Sequence, residues 1–402
     1  MTFDFNPPPR ATGFGNSVTR SMSIRAASSG AINLAQGFPT ENPPDEVLLT
    51  AIAAIQNGRN FYADLRGDPG LRNAVAKYVS SYTGRNWNGE DNVTITCGAT
   101  EAMIDALLGI VNKGDEVIVM EPWYENYIPQ LRLSEVNVKK YTLSPPEFLI
   151  NLDRLGSLFS HKTKAIIVNT PHNPTGRVFS SKELDGIASL CAEFGTIAIL
   201  DEIYQQITYR SNAFYSLASN KSMADQVVLI SGISKIYAAT GWRVGWAVAS
   251  HELTSSIRRV HDFVTGAVPT PFQDAAAVAL TLGSDYYESI RSKYNRRRKI
   301  LEKILEEVGI LFFSPQGAYY VLADISIFGY RTSEEFADAL LEEAGVAVVP
   351  GSAFFENPEL ARRFVRITFS KNEDVISLAG ERINKWINAR KGRVDSVSTD
   401  LT

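Results

Sequence analysis

Lys235 and Arg243 are the two residues of this sequence best placed to do chemistry together. Lys235 comes five residues after the end of the apolar run 227–230, and Arg243 lies eight residues further on, within the glycine-containing segment 240–246. Partial burial and a neighbouring cation both lower the pKa of a lysine amine, so more of it is neutral. A neutral amine can form a Schiff base with a carbonyl compound, and the arginine offers paired hydrogen bonds to a phosphate or carboxylate. A solvated loop lysine is the alternative interpretation.

A second group of candidate residues, 97–101, lies between the predicted strand 93–96 and a predicted helix. Small residues at the start of a helix leave backbone N–H groups free, and the helix dipole favours an anion there. Gly98, Ala99 and Thr100 are therefore candidate anion ligands. The alternative is that Thr100 is only the N-cap of the helix.

Two further groups also follow apolar strands. In the loop 169–176, prolines restrict the backbone, so Asn173 would be held with its amide facing the crevice at the strand ends. Asp201 comes directly after the apolar run 197–200, with Tyr204 three residues beyond it. A carboxylate at a buried strand end requires a cationic partner, which is either a protein arginine or a cationic ligand.

These segments, in this order, resemble those of the pyridoxal-phosphate-dependent aminotransferases of classes I and II, the fold type I enzymes of the aspartate aminotransferase superfamily. The resemblance extends over about residues 30–390. It implies that Lys235 carries the pyridoxal phosphate, that Asp201 pairs with its pyridine nitrogen, and that Asn173 and Tyr204 bond its phenolic oxygen. Lys235, Asp201 and Tyr204 would be the catalytic residues. The implied phosphate ligands are Gly98, Ala99, Thr100, Ser234 and Arg243.

One position departs from this resemblance. Many relatives have a serine three residues before the lysine, where its hydroxyl binds the phosphate, but this sequence has Gly232 there. Ser231 and Ser234 lie on either side, and some subgroups of the family share the glycine. The hydroxyl ligand is therefore open, with Ser234 as the candidate.

The resemblance also implies substrate contacts and a shared site. Arg366 corresponds to the arginine that binds the substrate α-carboxylate together with Asn173 and the backbone N–H of Gly37; a surface arginine on an edge strand is the alternative. Tyr124 corresponds to the aromatic residue that stacks on the pyridine ring, with Trp123 as the competing choice. Tyr62 corresponds to the tyrosine that reaches the phosphate of the neighbouring subunit, so a homodimer is expected.

The implied reaction transfers the α-amino group of an amino acid to a 2-oxo acid. Residues 264–270, near the place where aspartate-specific relatives bind a distal carboxylate, contain no cation. Together with residues 36–39, 171–173 and 366–371, this makes the resemblance closest to the kynurenine, glutamine and methionine transaminase branch, which implies a neutral, aromatic or sulfur-containing donor. The alternative is β- or γ-elimination or replacement on the same scaffold, as in carbon–sulfur lyases or cyclopropane-forming synthases. A non-enzymatic regulator is a further alternative, against which Lys235 argues.

Composition narrows the class of protein. The 402 residues carry a net charge of −4, from 40 basic and 44 acidic residues, which argues against a nucleic-acid partner. No apolar stretch approaches the length of a membrane span, and the two cysteines favour a reducing compartment, so a cytoplasmic protein is expected. The four histidines are scattered, and no metal site is expected. The glycines at 13 and 15 follow no strand, which argues against a dinucleotide-binding motif.

The pattern of elements predicts an α/β protein with two domains. Strands alternate with helices from about residue 46, which predicts a mostly parallel, doubly wound sheet. The rhythm changes after about residue 285, where a smaller α+β domain is expected. We predict an irregular N-terminal arm at 1–45 that packs with the small domain, a large cofactor-binding domain at 46–285, the small domain at 286–390 and a flexible tail at 391–402.

Overall fold

The structure is a computed structural model that describes residues 5–209, 214–223 and 225–399, with side chains described as far as residue 390. The strands are β1 (Ile32–Asn33), β2 (Val93–Thr96), β3 (Glu116–Glu121), β4 (Asn137–Thr142), β5 (Thr163–Asn169), β6 (Ile197–Asp201), β7 (Val227–Gly232), β8 (Gly245–Ala249), β9 (Leu311–Phe312), β10 (Tyr320–Asp324), β11 (Val346–Ala347), β12 (Val349–Pro350) and β13 (Phe364–Thr368). The helices are α1 (Pro9–Thr12), α2 (Val18–Ser29), α3 (Asp45–Gln56), α4 (Pro69–Thr83), α5 (Ala99–Ile110), α6 (Tyr127–Leu133), α7 (Leu152–Gly156), α8 (Ser181–Phe194), α9 (Ile233–Ile236), α10 (His251–Val264), α11 (Thr270–Ala279), α12 (Ser284–Val308), α13 (Ser333–Ala344), α14 (Pro358–Arg363) and α15 (Glu373–Thr399).

A seven-stranded sheet in the order β2-β8-β7-β6-β5-β3-β4 aligns the ends of the strands that matter for chemistry. Its strands pair in parallel except β8, which runs antiparallel to both β2 and β7. The register places Asn169 opposite Asp201 and Asp201 opposite Ile230. The carboxyl ends of β5, β6 and β7 therefore meet at one edge of the sheet, where parallel α/β sheets bind their ligands.

Both faces of this sheet are buried. In β5, Ile166 and Val168 pack in one hydrophobic core, whereas Ala165 and Ile167 pack in the other. Because successive side chains of a strand point to opposite faces, a continuous apolar run is what a strand covered by helices on both sides requires. The prediction of a mostly parallel, doubly wound α/β sheet is confirmed.

The C-terminal part contains a four-stranded antiparallel sheet in the order β12-β13-β10-β9. β13 is an inner strand, and its Arg366 lies opposite Leu322 of β10 and Val349 of β12. β1 of the N-terminal arm pairs in parallel with β11 of this part. Arg25 of α2 also forms an ion pair with Asp338 of α13 at 2.5 Å. These contacts accord with an arm that packs on the small domain, while the domain boundaries themselves stay a prediction.

The expectation of an irregular arm is wrong over α2. Ser17 caps this helix by accepting a hydrogen bond from the Arg20 N–H at 3.1 Å, and Gly30 ends it in the left-handed conformation. Its many serines suggested a loop, although the cap residues at both ends were visible in the sequence. The backbone of residues 391–399 continues α15, so the predicted tail begins inside a helix; residues 400–402 lie outside the described part. Among the described helices, none has the length and hydropathy needed to span a bilayer.

Candidate active site

A cavity of about 460 Å³ opens at the carboxyl ends of β5, β6 and β7. It contains most of the residues singled out from the sequence, namely Gly37, Ala99, Thr100, Tyr124, Asn173, Asp201, Tyr204, Ser234, Lys235, Arg243 and Arg366. Gly98 lies behind the cavity wall, next to Ala99. Tyr62 is not brought to this cavity, since its side chain is 94% exposed elsewhere on the surface.

Lys235 enters the cavity from α9, the short helix that follows β7. Its Nζ donates a hydrogen bond of 3.3 Å to the carbonyl oxygen of Gly37. Burial, followed by the positive charges of Arg243 and Arg366, lowers the pKa of Lys235 to about 8, against an opposing effect of Asp201. A larger fraction of this amine than of an ordinary lysine is therefore neutral and nucleophilic near neutral pH.

Asp201 is the last residue of β6 and is only 8% exposed. Its carboxylate accepts hydrogen bonds from the Tyr127 hydroxyl at 2.6 Å and from the Ile203 N–H at 3.3 Å. Burial raises the pKa of Asp201. Within the described residues no arginine forms an ion pair with this carboxylate, which a core Asp–Arg pair would require. The arrangement suits a cationic ligand in the cavity.

Arg243 and the start of α5 form a cup for an anion. The Arg243 guanidinium donates to the carbonyl oxygens of Thr240 at 3.1 Å and of Cys97 at 3.3 Å. Gly98 has a positive φ of 81°, and a Cβ there would overlap Arg243 Nη2, so this turn requires glycine. Gly98 is also the N-cap of α5 and no side chain caps the helix, so Thr100 is not its N-cap. The N–H groups of Glu101 and Ala102 donate to the carbonyl oxygen of Gly98, so Ala99 and Thr100 are the residues of the first turn whose N–H groups suit a ligand.

The glycine at 232 has a structural cause. Its backbone pairs with Gly245 of β8, and a Cβ would lie 2.8 Å from the carbonyl oxygen of Val244. A serine therefore could not be placed there without moving β8. Ser231 is fully buried and accepts from Gln205 Nε2 at 3.1 Å, whereas Ser234 lines the cavity. Of the two serines, only Ser234 can present its hydroxyl to a ligand there.

Arg366 is buried at the opposite wall and is 2% exposed. It donates to Asn173 Oδ1 at 3.0 Å and to the carbonyl oxygen of Ala35 at 2.9 Å. The guanidinium lies over the rings of Tyr320 and Phe354, 4.4 and 4.7 Å from their centroids. The alternative of a surface arginine on an edge strand is wrong, because β13 is an inner strand. A cation held this rigidly suits a carboxylate.

The aromatic residues divide clearly between cavity and core. Tyr124 lines the cavity and meets Tyr127 edge-on at 5.5 Å, whereas Trp123 packs in a hydrophobic core. The hydroxyl of Tyr204 lies 3.2 Å from that of Tyr320. Of the two neighbours at 123 and 124, Tyr124 is the one that a ligand can contact.

Sequence reasoning missed several lining residues: Ser17, Arg20, Phe38, Met103, Glu125, Tyr127, Asn169 and Tyr320. Asn169 ends β5, and its Nδ2 donates to the carbonyl oxygen of Asp201 at 2.8 Å. Its position at the end of a strand was a usable signal. The others come from the N-terminal segment, from α5, from the loop between β3 and the start of α6, and from the C-terminal sheet, where the sequence carries no such signal.

Comparison with known proteins agrees with this site. The family model for aminotransferase class I and II matches residues 29–383. The probable N-succinyldiaminopimelate aminotransferase of Mycobacterium tuberculosis is 34% identical over 381 residues, 92% of this chain and 96% of that protein. The methionine aminotransferase of Escherichia coli is 32% identical over 379 residues, 94% and 98% of the two chains. The kynurenine–oxoglutarate transaminase of Dictyostelium discoideum is 32% identical over 423 residues, 96% and 97%.

Solved structures show the same relationship. The N-succinyldiaminopimelate aminotransferase of Mycobacterium tuberculosis superposes with a TM-score of 0.92 over 95% of this chain and all of that one, at 34% identity. The Escherichia coli methionine aminotransferase gives 0.90 over 95% of this chain and 100% of that one, at 32% identity. Fold and neighbours define a fold type I aminotransferase that depends on pyridoxal phosphate. The chain belongs to the class I and II aminotransferase family, and the relatives give no support to the elimination alternative.

Proposed function

We propose that this cavity is the active site for transfer of an α-amino group to a 2-oxo acid, with Lys235 as the residue that carries the cofactor and moves the proton. The observation that carries the proposal is that Lys235 shares one cavity with Arg243, Arg366 and the buried carboxylate of Asp201, where burial and the two arginines lower the pKa of Lys235 to about 8. The neutral form of such an amine can accept a proton from a substrate carbon and return it.

The residues present fit pyridoxal phosphate. Asp201 would place a buried negative charge beside the pyridine nitrogen of the cofactor, and Asn173 and Tyr204 would place polar groups beside its phenolic oxygen. Tyr124 would place an aromatic face against the pyridine ring. When bound, the cofactor supplies an electron sink for the charge that develops on the substrate α-carbon. The proposed phosphate ligands are the first turn of α5, from Gly98 to Thr100, together with Ser234 and Arg243.

For the substrate, we infer that Arg366 binds the α-carboxylate, with Asn173 and the N–H of Gly37 beside it. The carboxylate–guanidinium pair orients the donor so that its α-carbon faces Lys235 across the cavity. Phe38, Met103 and Tyr320 supply apolar wall. This supports a neutral, aromatic or sulfur-containing donor, the class to which the substrates named for the methionine and kynurenine relatives belong.

A second donor class is favoured by Arg20. This residue lines the same cavity from α2, and no described residue forms an ion pair with its guanidinium. A free cation at that wall suits a donor with a distal carboxylate, such as the N-succinylated substrate for which the mycobacterial relative is named. The two classes are separable with a panel of donors.

We further infer a homodimer in which Tyr62 reaches the partner's cofactor phosphate. Phe61 is 84% exposed and Tyr62 94%, and Phe263 of α10 is 92% exposed. Large apolar side chains with this exposure favour a surface that another chain covers. An active monomer in sedimentation experiments would contradict this assembly. The free thiols of Cys97 and Cys191 accord with a reducing compartment, and we place the protein in the cytoplasm.

The experiment that tests the function is the visible spectrum of the purified enzyme with pyridoxal phosphate, recorded against a panel of amino acids. We expect a yellow band that particular donors bleach and a 2-oxo acid restores, with the amino group recovered on the new amino acid. Release of ammonia together with a cleaved donor side chain would instead indicate elimination. A protein that gains no band with added pyridoxal phosphate would contradict the role of Lys235.

A further inference from the structure

A buried charge cluster lies behind the proposed phosphate cup. His261 of α10 is completely buried, and its Nδ1 lies 3.0 Å from Glu101 Oε1 and 3.5 Å from Asp105 Oδ2, both on α5. Its Nε2 lies 2.8 Å from the carbonyl oxygen of Leu65. The ring therefore joins α5 to the loop between α3 and α4, which also carries Tyr62.

The partners of His261 determine its protonation. A carbonyl oxygen can only accept, so Nε2 carries a proton, and an ionised Glu101 requires a proton on Nδ1 as well. Burial by itself lowers the pKa of His261, but the neighbouring carboxyl groups of Asp105 and Glu101 outweigh it and raise the pKa to about 10. The imidazolium is thus the form that can donate both to the Leu65 carbonyl oxygen and to the Glu101 carboxylate.

Glu101 connects His261 to the proposed phosphate-binding turn. Its second oxygen accepts a hydrogen bond from the N–H of Cys97, and the carbonyl oxygen of Cys97 accepts from Arg243. Cys97 directly precedes Gly98, the glycine that the turn requires. A chain of direct contacts therefore runs from the Leu65 carbonyl through the imidazolium and Glu101 to the turn that holds Arg243.

We propose that His261 is a positioning residue, whose imidazolium holds the phosphate-binding turn at 97–100 and the Tyr62 loop in fixed relation to each other. This inference rests on the proposed function, because that is what assigns the cofactor phosphate to the turn. The titratable groups facing the ring are Glu101 and Asp105 of α5 and, beyond Glu101, the Cys97 thiol, whose pKa is raised to about 11 by burial and by Glu101. Losing the ring would loosen the turn and weaken cofactor binding while leaving Lys235 and Asp201 in place.

The first test is the affinity of the full-length apoprotein for pyridoxal phosphate, followed by fluorescence titration. We expect His261→Gln to raise the dissociation constant at least about tenfold, because a hydrogen-bonded charge is lost. Saturating cofactor should then restore kcat to within about threefold, since the reacting groups are untouched. The matched control is His251→Gln on the same helix, whose side chain is 70% exposed and which should bind the cofactor like the wild type. Unchanged affinity in His261→Gln would overturn the inference.

The second test measures the protonation state of the His261 imidazole directly and does not depend on enzyme activity. In ¹⁵N-histidine NMR spectra of the apoprotein at about pH 8.5, we expect one imidazole with both nitrogens protonated, because an ordinary histidine, with a pKa of about 6.5, is neutral there. His261→Gln assigns the signal, and if that variant does not fold, Glu101→Gln should shift the signal towards the neutral form and weaken cofactor binding. A neutral ring in the wild type would overturn the inference. So would a stoichiometric metal ion held by His261, Glu101 and Asp105, whose possible metal-binding atoms lie within 4.8 Å of one another. A wild-type protein with the charged ring but no transaminase activity would count against the proposed function alone.

Discussion

The two walls of the cavity are built in different ways. One wall consists of residues at or just after the ends of β5, β6 and β7, where Asn169 and Asp201 are held in register by the hydrogen bonds of the sheet. The other wall joins the N-terminal segment to the C-terminal antiparallel sheet, with Arg20 from α2, Gly37 from the segment after β1 and Arg366 from β13. The first wall is fixed by the regular backbone, whereas the second depends on side-chain contacts between distant segments.

Glu125 illustrates how the second wall is assembled. Its carboxylate accepts from the Ser17 hydroxyl at 3.1 Å, from the N–H of Thr19 at 3.4 Å and, more closely, from the N–H of Val18. It thus acts at the N-terminus of α2, where a negative charge is favoured. One residue after Tyr124, it attaches the start of α2 to the loop between β3 and α6. We call the first wall the sheet wall and the second the arm wall. We infer that the sheet wall holds the residues that carry out the reaction, and that the arm wall can vary to select substrates.

The largest effect should come from Lys235→Ala, in the sheet wall. We expect kcat to fall by about 10⁴-fold or more, because both the covalent attachment and the proton transfer are lost. The control is Lys371→Ala: burial also lowers the pKa of Lys371 to about 8, but Lys371 does not line the cavity. Turnover should be measured with saturating cofactor and donor. Retained activity in Lys235→Ala, or an equal loss in both variants, would break the assignment of chemistry to this wall.

The neighbouring carboxyls Asp201, which lines the cavity, and Glu202, which does not, offer a sharper comparison. Asp201→Asn should lower kcat by about 10²-fold or more, because no negative charge would remain beside the cofactor nitrogen. Burial raises the pKa of Glu202 to about 8, so it is largely a neutral acid at neutral pH, and Glu202→Gln keeps that charge state. We expect Glu202→Gln to stay within about threefold of the wild type. Equal losses in the two variants would mean that charge at Asp201 is not what matters.

The sequence predicted the sheet wall better than the arm wall, for a physical reason. Asp201, Asn173 and Lys235 each follow an apolar strand closely, and strand periodicity and parallel pairing alone bring such positions to one edge. Tyr127 could not be found in this way, because its contact with Asp201 depends on how α6 packs. The sequence does not reveal the place of Arg20, because the serine-rich segment around it predicts an irregular arm, whereas contacts of Glu125 with residues 17–19 position α2 at the cavity.

A substitution at Arg366 tests the part of the arm wall that both donor classes would use, because both carry the α-carboxylate that Arg366 is proposed to bind. Arg366→Lys should raise KM for every donor by about tenfold or more, because an ammonium cannot reproduce the paired hydrogen bonds of a guanidinium to a carboxylate. kcat should change less than KM, since Lys235 and Asp201 are unaffected. Steady-state kinetics with methionine, phenylalanine and glutamate would check this. A KM effect confined to one of these donors would mean that Arg366 contacts a side chain instead of the shared α-carboxylate.

The smallest effect, and the one that separates the donor classes, should come from Arg20→Ala. If donors carry a distal carboxylate, KM for those donors should rise by about tenfold while KM for methionine stays unchanged, because only the former lose an ion pair. Arg25→Ala is the control: it lies in the same helix but is already paired with Asp338, outside the cavity. An unchanged KM for glutamate and for an N-succinylated donor would mean that this wall selects donors by apolar contact alone, through Phe38 and Tyr320. That outcome would favour the neutral donor class. In that case α2 would line the cavity without forming an ion pair with the donor.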